Sequence, residues 1–314
     1  MRNFSTESTA TPERDVATYR PRLFGLAYRM LGSPTDADDA VQEALVRWQS
    51  IDRTSIRNPE GWLVTATTRV ALDRLRALQA ERRRYVGPWI PEPVIEDSAG
   101  DPAHHAEVVE DISVAALLML ERLTPDERAA LLLHDVFSYR HCEIAATLGR
   151  TEEAIRQIVH RARQRIRTGR RRFTVDPRAA TALVDRFVNA FEAGDQKELQ
   201  SVLAADVTQL ADGGGVISVG CRPVTGLERV VRLWLGLRAK QFKSCSLAHA
   251  KVGGQPGLIL RDAAGVMRGV IAIVTDQTSI VSLYVILAPD KVSRAHDRWM
   301  ASGTLLCSTS SGSA

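Results

Sequence analysis

Hydrophobic positions recur at two different spacings along the chain. Up to about residue 172, apolar side chains recur every three or four residues, which is the period of a helix with one buried face. From Pro177 onward, one such helix is followed by short apolar runs bounded by glycine, aspartate or polar turns, a pattern typical of strands. The predicted strands are Val216–Val219, Leu258–Leu260, Val266–Val274 and Ile280–Leu287. The sequence therefore predicts helical units first and an α+β unit after them.

Caps followed by proline mark where three predicted helices begin. Ser33-Pro34, Asn58-Pro59 and Thr124-Pro125 each place a hydrogen-bonding side chain before a proline, which is tolerated at the first helical position. Proline and acidic residues are concentrated between the two helical stretches, and a Ser/Gly/Thr-rich segment ends the chain. These features predict two all-α domains at 15–86 and 112–172, a linker at 87–111, an α+β domain at 177–292 and a flexible tail at 293–314.

The segment Ser138–Arg167 has the pattern of a helix-turn-helix. Gly149 suits the left-handed position that ends a helix, and Thr151 is a suitable cap for the next one. An apolar stripe that backs a polar face after such a turn is typical of the helix-turn-helix. The residues of this stripe, which step by four, three and four, are Ile155, Val159, Ala162 and Ile166.

Charge points to nucleic acid because arginine is concentrated on this last helix. The formal net charge of the chain is only +4, but the segment 150–172 holds nine arginines against two glutamates. Arginine and glutamine can pair with base edges in the major groove, and further arginines can contact phosphates. A solvated helix face is the alternative interpretation. The candidate DNA-binding residues are Arg156, Gln157 and His160 for bases, and Arg161, Arg163 and Arg165 for phosphates.

A second basic helix, at 62–84, mixes arginines with a tryptophan and threonines, side chains that suit an unpaired strand. A core tryptophan beside a solvated charged face would explain the same pattern. Its candidate DNA contacts are Arg69, Arg74, Arg76, Arg82 and Arg83. The preceding helix has an acidic face that either docks a protein partner or only solubilises the chain. The candidate docking residues are Asp36, Asp39, Gln42 and Glu43.

Together these segments resemble the extracytoplasmic-function sigma factors of the sigma-70 family. The resemblance covers about residues 15–172 and includes a segment that docks on the clamp of RNA polymerase, a segment that melts and reads the −10 promoter element, and a domain that reads the −35 element. The matching stretches are, in chain order, Ala27–Met30 with Asp36–Glu43, then Asn58–Leu63 with Asp73–Arg76, then Leu123–Arg128, Glu143–Ala145 and His160–Arg163.

Further motifs resemble one subgroup of that family, which has a C-terminal SnoaL-like domain of the NTF2 fold. Trp89–Pro93 is similar to a tryptophan-leucine-proline-glutamate-proline signature, Asp212–Gly215 to a glycine-rich loop, and Ala288–Val292 to a closing asparagine-proline-aspartate-lysine-leucine motif. Ile90, Val216 and Ala288 depart from the family pattern, where leucine, lysine and asparagine stand. The resemblance implies an interdomain regulatory site formed by Trp89, Pro91, Glu92, Pro93, Asp212, Gly213, Gly214, Gly215, Pro289, Asp290 and Lys291.

The resemblance implies an RNA polymerase sigma factor whose C-terminal domain, an α+β NTF2-like cone, modulates its activity. The expected partners are the polymerase core, through its β′ clamp and β flap, and promoter DNA, with a small-molecule ligand in the C-terminal domain as a further expectation. We expect no metal, no cofactor and no membrane span, since the cysteines are scattered and no long apolar run occurs. A cytoplasmic location is expected.

Two other functions remain open from the sequence. The chain could be a ligand-responsive helix-turn-helix regulator that binds DNA without polymerase. It could also be an NTF2-like isomerase fused to a vestigial sigma module, for which Asp206, Asp212 and His249 are the available acid–base candidates. Because no paired acid–base motif is visible, we expect a regulatory domain and not an enzyme.

Overall fold

The computed structural model describes residues 12–96, 112–167, 176–240 and 244–309. The first helical unit consists of α1 (Pro12–Leu31), α2 (Pro34–Gln49), a 3-10 turn (Arg53–Ser55) and α3 (Pro59–Arg82). The predicted caps are confirmed, because Ser33 accepts a hydrogen bond from the backbone of Asp36 and Asn58 from that of Gly61.

The second helical unit consists of α4 (Val114–Leu120), α5 (Pro125–Asp135), α6 (His141–Leu148) and α7 (Glu152–Arg167). Thr124 and Glu127 form a reciprocal capping box at the start of α5. Gly149 ends α6 at φ 64°, and Thr151 accepts from the backbone of Ala154 at the start of α7. The helix-turn-helix prediction is therefore confirmed.

The two helical units share one hydrophobic core. Leu63 and Leu75 of α3 belong to the same buried cluster as Leu132 of α5 and Ile144 of α6. The predicted stripe of α7 joins this cluster, with Ile155, Val159 and Ala162 buried and Ile166 packed at its edge. The units are thus in close contact, and no solvent layer separates their apolar faces.

The C-terminal domain packs helices against one curved sheet, as the α+β prediction requires. Its helices are α8 (Pro177–Ala193), α9 (Gln196–Val202), α10 (Leu227–Lys240) and α11 (Pro289–Thr309). Its strands are β2 (Leu203–Asp212), β3 (Val224–Thr225), β4 (Ser246–Val252), β5 (Gln255–Arg261), β6 (Met267–Thr275) and β7 (Ile280–Ile286). With β1 (Ile95–Glu96) included, the sheet order is β1-β4-β5-β6-β7-β2-β3, and among the described strand pairs only β2 and β7 run parallel.

The strand β1 comes from the predicted linker. Ile95–Glu96 pairs antiparallel with Val252 and Lys251 at the edge of the sheet. The first half of the linker is therefore part of the C-terminal domain's fold. Its apolar residues explain this, because Ile90 and Ile95 are buried in a cluster with the sheet. The second half, 97–111, lies outside the described residues, as do 168–172 and 310–314.

Two further predictions are wrong. Val216–Val219, predicted as a strand, is a turn, because Gly213 accepts backbone hydrogen bonds from Val216 and Ile217 and folds the segment back. The tail from 293 is not flexible throughout, since α11 extends to Thr309. Val292 and Ala295 anchor α11 by packing against the sheet. Among the described residues, no helix has the length and apolarity needed to cross a membrane.

Candidate functional site

The polar face of α7 carries the six DNA-binding candidates that were predicted on this helix, and every one of them is exposed. The buried stripe fixes this orientation, because Ile155 and Val159 insert into the shared core on the opposite side. Gln157 and Arg161 have neither an ion pair nor a hydrogen bond from the side chain within the described part of the chain. The helix therefore presents side chains of the kind that contact DNA in the major groove.

Three other arginines of α7 pair with carboxylates next to the helix. Arg165 lies 2.6 Å from the buried carboxylate of Glu127, Arg156 pairs with Glu152, and Arg163 pairs with Asp135. Burial raises the pKa of Asp135, but hydrogen bonds from Arg163 and His134 outweigh it and hold that pKa below its usual range. These pairs keep the guanidinium groups on one face of the helix.

Arg69 of α3, a candidate contact for the opened promoter strand, binds the second helical unit. Its guanidinium donates to the carbonyl oxygens of Thr147 at 3.0 Å and Ala146 at 3.2 Å, which lie at the end of α6. Thr65, one turn earlier on α3, lies 3.3 Å from the Thr147 hydroxyl. Carbonyls at a helix C-terminus attract cations, so this is a favourable place for the guanidinium.

Arg76 and Arg82 also bind across the two helical units. Asp126 of α5 accepts from Arg76 and from Arg150, at 2.8 Å each, and these two hydrogen bonds outweigh partial burial and lower its pKa. Arg82 lies 2.7 Å from Glu121 and stacks 3.6 Å over the ring of Trp89. Arg74 stays within the first unit, where it pairs with Asp36 and Asp39 on the acidic face of α2. Four of the five candidate arginines of this helix region therefore bind other groups of the protein. The fifth, Arg83, is exposed.

A buried arginine that the sequence analysis missed also joins the two units. Arg128 of α5 donates to the carbonyl of Met30 at 2.7 Å and to that of Leu120 at 3.0 Å, and pairs with Glu121 at 2.7 Å. Burial lowers the pKa of Arg128, while the Glu121 carboxylate opposes that effect. The helical period offered a signal, because Arg128 occupies a buried position of α5 where an apolar residue is expected.

The acidic face of α2 is partly covered by other elements of the chain. Asp38 lies 2.9 Å from Arg298 of α11, so the C-terminal helix contacts the predicted docking surface. Gln42 and Glu43 are exposed, and Glu43 pairs only locally with Arg47. Gln42 and Glu43 thus remain open to a partner, whereas Asp36 and Asp39 pair with Arg74, next to the contact of Asp38 with α11.

Asp212 joins the C-terminal domain to the segment that follows α3. Its wholly buried carboxylate accepts from the hydroxyl of Tyr85 at 2.6 Å, the backbone N–H of Ile90 at 2.9 Å and the backbone N–H of Gly214 at 3.0 Å. The ammonium of Lys291 is the fourth donor, at 2.6 Å. These groups form what we term the linker contact: Tyr85, Ile90, Asp212 and Lys291.

Lys291 bridges the same two parts of the chain. Its ammonium donates to the carbonyl of Ile90 at 2.6 Å and lies 4.5 Å from the ring centre of Trp89. Burial lowers the pKa of Lys291, against the opposing charge of Asp212. Burial and the hydrogen bond to Asp212 raise the pKa of Tyr85, which keeps its hydroxyl protonated as a donor.

The linker is also bound on its other side by the first helical unit. The backbone N–H of Glu92 donates to the carbonyl of Gly32, and the hydroxyl of Tyr28 donates to the carbonyl of Glu92 at 2.8 Å. The Glu92 carboxylate pairs with Arg294 of α11 at 2.9 Å, yet burial raises its pKa above the usual range. Pro91 and Pro93 are buried beside it.

The glycine-rich loop has no room for side chains. A Cβ on Gly213 would lie 2.0 Å from the carbonyl oxygen of Ile217, and one on Gly214 would lie 3.0 Å from Ala288. Gly215, at φ 73°, packs against Val86 just after α3. Pro289 and Asp290 are exposed in the first turn of α11. The structure therefore brings together the loop, the closing motif and the linker that sequence motifs had singled out.

Sequence reasoning missed three residues of this region. Tyr28 and Arg294 bind Glu92 of the linker and Tyr85 binds Asp212, but a single tyrosine or arginine gives no distinguishing pattern in the sequence. The positions of Tyr85 and Arg294 beside two recognised motifs were the available signal. Tyr28 lies within the matched stretch Ala27–Met30.

A cavity of about 380 Å³ lies inside the C-terminal domain, lined mainly by apolar side chains of α8, α10 and the sheet. None of the three acid–base candidates lines it. Asp206 and His249 are exposed, and Asp212 belongs to the linker contact. No group of three or more histidine, cysteine, aspartate or glutamate side chains able to hold a metal ion occurs within the ranges that the structure describes.

Two family descriptions match the helical units. Residues 16–81 match sigma-70 region 2, and residues 113–166 match sigma-70 region 4. The first match covers α3 as far as Glu81, including Arg69, Arg74 and Arg76, and the second covers the helix-turn-helix.

Relatives extend the similarity to most of the chain. The ECF RNA polymerase sigma factor SigJ of Mycobacterium tuberculosis is 37% identical over 282 residues, which cover 87% of this chain and 90% of that protein. The probable ECF RNA polymerase sigma factor SigI of the same organism is 31% identical and covers 86% of this chain and 91% of its own. The crystal structure of M. tuberculosis SigJ superposes with a TM-score of 0.72 at 34% identity, over 90% of this chain and 98% of that one.

Proposed function

The chain belongs to the extracytoplasmic-function sigma factors of RNA polymerase, and from that premise we propose that its C-terminal domain controls when its promoter-reading residues become available. A sigma factor binds core polymerase and promoter DNA through its sigma-70 regions, here 16–81 and 113–166. The helix-turn-helix regulator that acts without polymerase is not favoured. The proposal concerns how this particular chain restrains that activity.

The observation that carries the proposal is the position of Arg69. The residue expected to hold the opened promoter strand donates instead to two carbonyls at the end of α6. Arg76 and Arg82 are occupied in the same way by Asp126 and Glu121. Arg69 uses two of its five guanidinium N–H donors on these carbonyls, so the contact directs the group towards α6 and leaves its other donors exposed. Full engagement of the promoter strand by Arg69, Arg76 and Arg82 would compete with these contacts to the second helical unit, and we infer that the two helical units then separate.

The C-terminal domain stabilises this closed arrangement by holding the linker. Asp212 and Lys291 bind both polar atoms of the Ile90 backbone, and Tyr28 binds the linker from the first helical unit. The linker connects the two helical units, so fixing it limits how far they can move apart. Release of the linker contact would let the linker extend, so that the two helical units could reach the −10 and −35 elements together.

We further propose that α2 docks on the β′ clamp through Asp36, Asp39, Gln42 and Glu43, and that the second helical unit meets the β flap. The Asp38–Arg298 pair supports a role for α11 in covering this surface. The C-terminal domain binds a small molecule and catalyses nothing, in keeping with the position of Asp206 and His249 outside the cavity. We expect the protein to act in the cytoplasm, together with polymerase.

In vitro transcription with purified core polymerase tests the proposal. Wild-type protein and the Asp212→Asn and Tyr85→Phe variants are titrated against a promoter template, with core binding measured in parallel. The proposal predicts promoter-specific transcript from the wild type. Both variants should reach half-maximal transcript at a lower protein concentration than the wild type, with an affinity for core polymerase that is unchanged or higher. Identical curves for all three proteins would contradict it. Operator binding without any core-dependent transcript would favour the regulator.

A further inference from the structure

The cavity of the C-terminal domain combines apolar walls with two buried polar atoms. Phe191, Leu260, Ile271 and Val285 supply much of the wall, and the volume of about 380 Å³ lies within the range of small-molecule sites. Gln209 on β2 and Trp234 on α10 also line it, and they are 5% and 2% exposed.

These two side chains carry unused hydrogen-bonding groups. The Oε1 atom of Gln209 and the Nε1–H of Trp234 are buried, and neither has a hydrogen-bond partner among the described residues. A buried polar group without a partner is costly, so native proteins rarely keep one without a use. The Trp234 ring is held edge-on by Phe187 and Phe191 at centroid distances of 5.0 and 5.4 Å, which fixes the direction of its N–H.

We propose that this cavity binds a predominantly apolar, uncharged ring compound that bears a hydroxyl group. The hydroxyl hydrogen is donated to Gln209, and the hydroxyl oxygen accepts from Trp234, so one group satisfies both buried atoms. Arg222 is the one ionisable side chain among the described residues of the lining and is exposed, so the buried part of the cavity described there offers nothing to balance a charge. Binding, without reaction, is what this lining supports.

Occupancy of the cavity acts on the linker contact, a step that rests on the proposed function. Ala211 and Leu287 of the lining are the chain neighbours of Asp212 and Ala288, and Ile217–Gly220 continues the glycine-rich loop. The backbone N–H of Leu287 donates to the Asp212 carbonyl at 2.7 Å. A ligand that fits the cavity in the closed arrangement stabilises that arrangement, because it binds this state more tightly. Ligand binding therefore lowers promoter-specific transcription.

The binding step is tested on the full chain by equilibrium dialysis with two probes of equal size, 2-naphthol and 2-methylnaphthalene. A satisfied pair of hydrogen bonds predicts that 2-naphthol binds roughly three- to tenfold more tightly. The preference disappears in Gln209→Met and falls in Trp234→Phe. Equal affinities in the wild type, a preference unchanged by both substitutions, or no binding of either probe would each overturn the site. Stronger binding of 2-naphthoate would overturn the assignment of an uncharged ligand.

Thermal unfolding of the ligand-free Gln209→Met protein shows whether the substitution removes only the ligand-binding group or also destabilises the fold. Methionine matches the length of glutamine and removes a polar group that has no internal partner, so the melting temperature stays equal or rises. A lower melting temperature would show that Gln209 has a partner within the chain and would contradict the inference.

The regulatory step has its own readout. Saturating 2-naphthol lowers promoter-specific transcription by the wild type but not by Gln209→Met at the same concentration. Binding without any effect on transcription would overturn the coupling and leave the site standing. If wild type and Asp212→Asn instead gave the same transcription curve, the proposed function would be overturned, and the dialysis result would be unaffected.

Discussion

Asp212 and Ile90 are joined by a hydrogen bond of 2.9 Å between a wholly buried carboxylate and a backbone amide, although 122 positions separate them in the chain. The carbonyl of Ile90 accepts from Lys291, so both polar atoms of the backbone of one linker residue are held by the C-terminal domain. A backbone contact of this kind restrains the path of the chain itself. This is why we place control of the two helical units here.

Removing the negative charge of the Asp212–Lys291 pair should lower the free energy of unfolding by more than removing the positive charge. Asp212→Asn leaves the Lys291 ammonium buried without its counter-charge, whereas Lys291→Met leaves the carboxylate with three other donors. Breaking a buried pair costs roughly 3–5 kcal/mol, so we expect a loss in this range for Asp212→Asn and a smaller one for Lys291→Met. Hydrogen exchange at the Ile90 amide measures both. Equal protection in the two variants would contradict the asymmetry.

Gly213→Ala should disrupt the loop that presents Asp212. The added Cβ would lie 2.0 Å from the carbonyl oxygen of Ile217, a backbone atom that cannot move without opening the turn. Strain of this kind costs about 1–3 kcal/mol or more, and the thermal stability of the C-terminal domain should fall accordingly. Gly220→Ala is the matched control in the same loop, because its Cβ would meet its nearest neighbour at 3.6 Å. Equal effects at both positions would refute the steric argument.

Stability should depend on pH through Glu92. Burial raises the pKa of this carboxyl in the folded protein, so its contribution is fully present below the pKa of the unfolded chain and is lost as the pH rises through the folded value. The difference in unfolding free energy, wild type minus Glu92→Gln, should therefore decrease from acidic to neutral pH. Denaturant unfolding of both proteins across this range measures it. A difference that is flat or increases with pH would argue against the raised pKa.

Substitutions on α7 should separate base contacts from phosphate contacts. Arg156→Ala and Gln157→Ala should each cost about 1–3 kcal/mol at particular upstream bases, whereas Arg165→Ala should weaken all sequences alike. The structure supports the comparison, since all three side chains are exposed on one helix. Binding to a panel of single-base promoter variants measures each cost. Uniform losses for all three substitutions would remove the base-reading assignment.

Local features of the fold could be predicted from sequence because their signals lie within a few residues. The Thr124 capping box, the Gly149 turn and the buried stripe of α7 are each encoded within one helix and its cap. The helix α10 and the strand β4 were missed, although Val230, Val231 and Trp234 of α10 lie at the spacing of a buried helix face. The helix α11 was mistaken for a tail because its anchoring positions, Val292 and Ala295, are separated by polar residues.

Contacts between the domains could not be predicted in the same way. Arg69 binds the backbone carbonyls of Thr147 and Ala146, and a carbonyl acceptor leaves no trace in the sequence. Asp212 and Lys291 were singled out by motif resemblance, but their shared partner, the Ile90 backbone, has no side-chain signature either. The helical period could have revealed Arg128 as a polar residue on a buried face, though not its partner Met30.

Whether the two helical units separate when the protein binds a promoter can be measured as the distance between them. Fluorescent amino acids at the exposed positions Gln49 on α2 and Glu153 on α7 would report it in the full chain by energy transfer. The account predicts one short distance for the free wild type, a longer one on addition of core polymerase and promoter DNA, and partial lengthening in free Asp212→Asn protein. A distance that stays short in the promoter complex, or that Asp212→Asn leaves unchanged, would contradict it.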